Sequence, residues 1–341
     1  DIGEFNTDRR RALRPFNVNE HEGRLFVPQK TFVNAIVNAL SHYNPDIADA
    51  ALDCIRRIHT LCTEICTDTE THRYPLFRYI FAKVSHSCFD ESWYVKRGAV
   101  RGMSVILKET NLSKSWLMVR VLEISRTFLF VIKDTSGNGS GSDSSVPNSV
   151  ANLASDLLLY ILENIEHKPG ERYFSLLTSM LAFELESSCP QSRLTAKKSL
   201  SYIAKTVNKT VSEILVPVTD VFLTPIYMKP LRALPFAMQV GYIDAISFCL
   251  ELPDTFLKFD DKFNRMIEEA LALVDAEDES LTSAHRVFEY TTNKQLTELR
   301  SVCIKMLSQV VCISDTVNAN AAANNSQVTD STSTISPAIR A

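Results

Sequence analysis

Four stretches of the chain share one spacing: a small residue, followed by large apolar residues four and seven positions later. They are Ala51-Ile55-Ile58, Ala99-Met103-Ile106, Ala196-Leu200-Ile203 and Cys303-Leu307-Val310. Positions i, i+4 and i+7 lie on one face of an α-helix, so each set marks a buried stripe. The small member lets a neighbouring helix come close. In three of the four a basic residue stands three positions earlier: Lys96, Arg193 and Arg300. The small residues are 48, 97 and 107 positions apart. The first two intervals are one and two units of about 48. The third fits two units with an inserted turn.

Repeats of about 40 to 47 residues, each built from two helices, are the HEAT and armadillo pattern. Hairpins of this kind stack side by side into an α-solenoid. The remaining sequence agrees with an all-α fold. Only 9 of the 341 residues are glycine, strand signals are nearly absent, and a hydrophobic content of 45% is enough for a sizeable core. Helices are predicted near 29–42, from Pro45 through Ile65, and near 74–87, 91–108, 113–133 and 149–166. Further ones are predicted near 171–187, 191–206, 210–227, 235–250, 260–275 and 293–312. The first presents Phe32, Val33, Ile36, Val37 and Leu40 on one face. The second presents Ile47, Ala51, Ile55, Ile58, Cys62 and Ile65, with Asn44 placed to cap it and Pro45 in its first turn.

Composition divides the chain further. Residues 1–28 read as an irregular lead-in, 29–133 as HEAT-like helical repeats, 134–148 as a flexible Gly/Ser loop and 149–312 as further repeats. Residues 313–341, rich in Asn, Ser and Thr and without an aromatic, are expected to be a disordered tail. The chain opens on Asp1 and is read as a processed protein or a piece of a longer one. No secretory signal is read at its start. The net charge of −4 gives no general attraction to nucleic acid, so no direct nucleic-acid partner is expected. No membrane partner is expected either: the run nearest to a span, 116–132, is broken by Arg120, Glu123 and Arg126.

Candidate chemistry is sparse. The eight cysteines are scattered singly within apolar helical patterns and read as reduced, buried thiols. His59, Cys62 and Cys66 share a helix face and, with His72 or Cys88, have the residue types of a zinc site. Cys62 and Cys66 also continue the apolar stripe of Ile55 and Ile58, and that packing role is the expectation. "GNGSGS" (137–142) lacks the following Lys-Ser or Lys-Thr and the preceding strand of a phosphate loop. "RRRALR" (9–14) reads as a solvated basic edge, and the sequons at Asn111 and Asn208 as chance. No catalytic residue, cofactor or metal site is expected.

The remaining charged feature is acidic. "DAEDE" sets Asp275, Glu277, Asp278 and Glu279 at the end of a helix whose apolar residues are Phe263, Met266, Ile267, Ala270, Leu271 and Val274. From Glu251 to Glu298 the chain carries 12 acids and 5 bases. A calcium-loop spacing is not met. Acids at a helix C-terminus oppose the macrodipole, so these four are expected to form a surface interaction patch facing water or a basic partner.

The same stretch carries a resemblance. "LRALPFAMQVGYIDAISFCLELPDTFLKFDDKFNRMIEEALALVDAEDESLTSAHRVFEY" (231–290) and "RRALRPFNVNEHEGRLFVPQKTFVNAIVNALSHYNP" further upstream closely resemble the helical-repeat region of the transcription-associated pseudokinases of the PIKK family. In "GYIDAISFCLEL" and "ALVDAEDESLT" the match to fungal members is expected to be near identity. The resemblance covers about residues 1–312 and implies an internal solenoid piece of a very large nuclear scaffold. Its parent is implied to be a subunit of the SAGA co-activator and of a second histone acetyltransferase complex, binding transcription activators and recruiting acetyltransferase modules to promoters. No catalytic residue is implied for this region. The alternatives are a segment of a nuclear transport receptor, also a HEAT solenoid, and a segment of an active kinase of the same superfamily.

Overall fold

Proline and short polar side chains set where the helices begin. Pro45, Pro75 and Pro190 each open a helix, where the missing N–H costs nothing. Asn44 Oδ1 accepts the Asp46 N–H at 2.9 Å. Thr210 and Glu213 form a reciprocal capping box. The computed structural model describes residues 25–65, 71–137, 145–253, 255–275 and 293–324, and no strand occurs among them. In chain order the helices are α1 (Val27–Leu40), α2 (Pro45–Ile65), α3 (Pro75–Ser87), α4 (Trp93–Glu109), α5 (Lys114–Gly137), α6 (Ser145–Asn164) and α7 (Arg172–Leu185). They continue as α8 (Pro190–Thr206), α9 (Val211–Leu215), α10 (Thr219–Met228), α11 (Phe236–Glu251), α12 (Asp261–Asp275) and α13 (Asn293–Asn324).

The chain divides into two compact units, Asp1–Leu177 and Thr178–Ala341. In the first, α1 packs on α2, α3 on α4 and α5 on α6, while α1 also meets α3, and α4 meets both α2 and α6. Successive hairpins therefore lie side by side, with second helices forming one layer. In the second unit α8 meets α9, α10 meets α12, and α13 meets both α11 and α12.

All four predicted small residues are buried: Ala51 at 4%, Ala99 at 2%, Ala196 and Cys303 at 0% exposure. The large residues that follow are buried too, except that Met306 replaces the half-buried Leu307 in α13. A fifth set, Ala154-Leu158-Ile161, is equally buried in α6. It stands 55 positions after Ala99 and 42 before Ala196, so the 97-residue interval is indeed two units of unequal length. The closest approach in the first unit lies one residue from Ala99. A Cβ on Gly98 would sit 2.2 Å from the Leu40 carbonyl oxygen, so α4 crosses the end of α1 with backbone against backbone. Gly241 of α11 makes the same kind of crossing over Glu186 and Ser187.

Several expectations need correction. The helix predicted over 210–227 is broken into α9, a 3-10 turn at Val216–Val218 and α10. Pro217 is the reason, since it lacks an N–H and its ring crowds the carbonyl one turn back. This stretch, Val211–Met228, also meets the length and composition of a membrane span better than 116–132 does. Ile214, Leu215, Val218, Phe222, Leu223 and Ile226 nonetheless pack into the protein interior. Phe32, Ile47, Ile65 and Leu271 are exposed rather than buried, because Ala48, Leu52 and Leu273 occupy the inward positions. The thiols are mixed: Cys88, Cys249 and Cys303 are buried, Cys54, Cys62 and Cys189 half-buried, and Cys312 exposed. Helix continues through the start of the Asn/Ala-rich segment as far as Asn324, where Ala319 and Ala321–Ala323 supply the strongest helix former. Asn208, part of a sequon, adopts φ 53° at the end of α8, and the Lys209 N–H closes on the Ala204 carbonyl at 2.9 Å. It is the left-handed cap of that helix.

Candidate interaction surfaces

The second helices of successive hairpins are tied together by polar side chains about fifty residues apart. In the first unit Arg101 of α4 pairs with Asp49 of α2. Arg56 of α2 reaches Glu109 of α4 at 2.6 Å and Asp53 at 2.7 Å. These hydrogen bonds push the Arg56 pKa up, and the one from Arg56 holds Glu109 down. In the second unit Gln309 of α13 accepts from Ser247 of α11 at 2.6 Å and donates to Glu251 at 2.9 Å, while Lys305 pairs with Glu251 at 2.7 Å. The exposed members of such ladders contribute little each, on the order of 0–1 kcal/mol, and chiefly fix register.

Deeper pairs account for two of the three basic residues that precede the small ones, Lys96 and Arg193. Lys96 is buried at the start of α4, pairs with Asp134 of α5 and donates to the Glu91 carbonyl at 3.4 Å. Arg193 is buried at the start of α8, meets Asp244 of α11 at 2.9 Å and donates to the Ser187 and Ser188 carbonyls at 2.9 and 3.4 Å. Both cations thus bind the carbonyl five residues back and the carboxylate of a later helix. Lys197 shares Asp244 at 2.8 Å.

Among the described residues the zinc-type side chains do not converge. His59 accepts the Asn111 N–H at Nε2, 3.3 Å away, and its ring lies 6.3 Å from Phe77. His72 stacks on Trp116 at 5.7 Å. Cys66 lies outside the described residues, and no group of three or more His, Cys, Asp or Glu side chains suited to a metal occurs among those described. Burial pushes the Cys88, Cys249 and Cys303 thiols up to about 12, so none is a thiolate nucleophile at neutral pH. Of the acidic run, Asp275 is exposed as the last residue of α12; Glu277, Asp278 and Glu279 lie outside the described residues, as does "RRRALR".

Sequence reading missed two surfaces. One is the outer face of α8, where Lys198 and Lys205 are exposed on a helix that carries no acid. Counting charge along 190–206 would have found it. The other is an aromatic cleft at the α1–α2 and α3–α4 turns, lined by residues about fifty positions apart. No local motif signals it.

Stacked hairpins with buried small residues and polar ladders between second helices define an α-solenoid of the HEAT class. The chain belongs to the Tra1 HEAT repeat ring region family, whose model matches residues 1–330. It is 32% identical over 295 residues to the SAGA complex/NuA4 acetyltransferase complex subunit TRA1 of Saccharomyces cerevisiae, covering 86% of this chain and 8% of that protein. It is 30% identical over 281 residues to the corresponding Tra1 of Schizosaccharomyces pombe, covering 81% and 8%. The human transformation/transcription domain-associated protein is 26% identical over 225 residues, covering 61% and 6%. The chain spans only a small part of each of these relatives.

Proposed function

We propose that this chain is a non-enzymatic scaffold segment of a nuclear co-activator subunit. The parent protein would hold subunits of SAGA-type and NuA4-type acetyltransferase complexes together and recruit them to promoters by binding transcription activators. The observation that carries this reading is the family match through residues 1–330, on a fold that offers long helical surfaces. The names of the two yeast relatives, both subunits of SAGA and NuA4 complexes, support it over a transport-receptor segment. Within the chain, Asp275, Glu277, Asp278 and Glu279 are proposed as an acidic interaction surface, motivated by the local excess of acids and the exposure of Asp275.

The test is purification of the tagged full-length parent from its own cells. Histone acetyltransferase activity and its subunits should co-purify, and a fluorescent fusion should be nuclear. Absence of acetyltransferase subunits overturns the scaffold reading. Changing the four acids to lysine should leave expression intact and remove at least one partner; an unchanged subunit set and unchanged promoter occupancy overturn the acidic surface.

A further inference from the structure

Large aromatic side chains are normally drawn into the core. Among the described residues of the first unit six are exposed, and three of these, Tyr43, Trp93 and Tyr94 at 87%, 44% and 48%, stand at neighbouring turns. Tyr43 lies in the α1–α2 turn, and Trp93 and Tyr94 open α4. Between the two turns is an open cleft of about 560 Å³, whose lining includes Val37, Asn38, His42, Tyr43, Asp90 and Tyr94. His42 stacks on Tyr43 with ring centres 4.4 Å apart, and Trp93 stands edge-on to Tyr94 at 6.2 Å.

The polar groups of this cleft narrow what it can hold. The Ser41 and Ser87 hydroxyls donate to the Val37 and Lys83 carbonyls of their own helices, so both are occupied. The Asn44 N–H donates to His42 Nδ1 at 3.0 Å, so that ring nitrogen is already engaged. Asp90 accepts the Ser92 N–H at 2.8 Å through Oδ1. Among the described residues lining the cleft, Asp90 carries the one formal charge, and no lysine or arginine is present.

Aromatic faces and a carboxylate both attract a cation and both disfavour an anion. We propose that this cleft receives a lysine or arginine side chain from a basic segment of a partner protein. The cation sits against the Tyr43 and Tyr94 rings and pairs with Asp90, and the chain's net charge of −4 assists the approach. Nucleic acid fits less well, because phosphates would face the Asp90 carboxylate. The cleft is built by residues of the first unit alone, and it stands independently of the function proposed for the acidic run.

Fluorescence anisotropy of a labelled hexa-arginine peptide against the purified chain tests this, with a hexa-glutamate peptide and a single-stranded oligothymidine as competing probes. The arginine peptide is expected to bind in low salt and the other two not to. Tyr43→Ala and Tyr94→Ala should each weaken binding about two- to fivefold. Asp90→Asn, which keeps the oxygen that accepts from Ser92, should weaken it and flatten its salt dependence. Tyr43→Phe with Tyr94→Phe keeps both ring faces and should bind like the parent, which separates lost contact from lost folding. Equal binding by the parent and the double alanine variant overturns the proposal. So does loss of binding in the double phenylalanine variant, or tighter binding of the oligothymidine.

Discussion

Arg193 and Asp244 lie 51 positions apart and meet at 2.9 Å, with side chains only 7% and 18% exposed. Lys96 and Asp134 make the equivalent pair in the first unit. In the second unit one carboxylate serves two cations, since Lys197 also reaches Asp244. Removing that carboxylate leaves Arg193 buried without its counter-charge. Asp244→Ala should therefore cost about 3 kcal/mol of stability, in the range for breaking a buried pair. Adding Arg193→Met should recover much of the loss, because an apolar side chain needs no partner there. Urea unfolding followed by circular dichroism checks both. A single variant within about 0.5 kcal/mol of the parent would mean that this pair is not what fixes α8 against α11.

The crossing of α4 over the end of α1 predicts a graded series. Alanine at Gly98 gains up to about 1 kcal/mol of helix propensity. Its Cβ, however, would meet the Leu40 carbonyl oxygen and carbon at 2.2 and 2.6 Å, and backbone cannot turn aside as a side chain can. The two helices must separate, at a net cost of at least about 2 kcal/mol. At Gly102 the nearest atoms are ends of the Val84 and Leu40 side chains at 3.0 and 3.1 Å, so Gly102→Ala should cost far less. Ala99→Leu overpacks a site that is 2% exposed and should fall between them, at roughly 1 to 3 kcal/mol. The order of urea midpoints is the measurement. A Gly98→Ala chain more stable than the parent would show that the crossing is looser than described.

This crossing also marks how far the sequence is legible. "KRGAVRGMSVIL" predicts close packing at Ala99, and the close packing is there, but the tightest contact falls on Gly98. Small residues flag an approach without saying which one faces the partner's backbone. The repeat signature located second helices because burial follows the 3.6-residue period. It passed over Ala154, because the Gly/Ser insertion stretches one interval and shortens its visibility against a fixed repeat length. The break at Pro217 was readable from that residue alone. The aromatic cleft was not, since Tyr43 and Tyr94 are brought together only by hairpin stacking. The basic residues at 96 and 193 were noticed as a pattern, but their acidic partners, 38 and 51 positions later, have no local signal.

The exposed end of α12 gives a prediction of opposite sign. Asp275 is an acid at the last position of its helix, facing water. There it opposes the partial negative charge of the helix C-terminus. Asp275→Lys should raise stability by about 0.3 to 1 kcal/mol at low ionic strength, and the gain should shrink in high salt. Thermal melting at two salt concentrations tests this. A loss of stability would show that Asp275 makes a structural contact rather than presenting a surface.

The final prediction concerns acid. His167 is 6% exposed in the turn between α6 and α7; its Nε2 donates to the Leu162 carbonyl at 2.8 Å, and the Phe174 ring stands edge-on at 6.2 Å. Burial lowers its pKa below the ordinary value of 6.5, outweighing the opposing effect of the Leu162 hydrogen bond. His59 moves the same way, also through burial, and its Nε2 must stay unprotonated to accept from Asn111. In both cases the unfolded chain binds the proton more readily than the folded one. Their contribution is therefore fully present above about pH 6.5 and is lost as pH falls through the lowered folded values. Stability measured in urea should be flat from pH 8 to 7 and decline toward pH 5. His167→Gln should be less stable than the parent at pH 7.5, having lost a packed ring, yet decline less steeply with acid. If the two chains lose stability in parallel from pH 7 to 5, protonation of His167 is not what opens the α6–α7 turn.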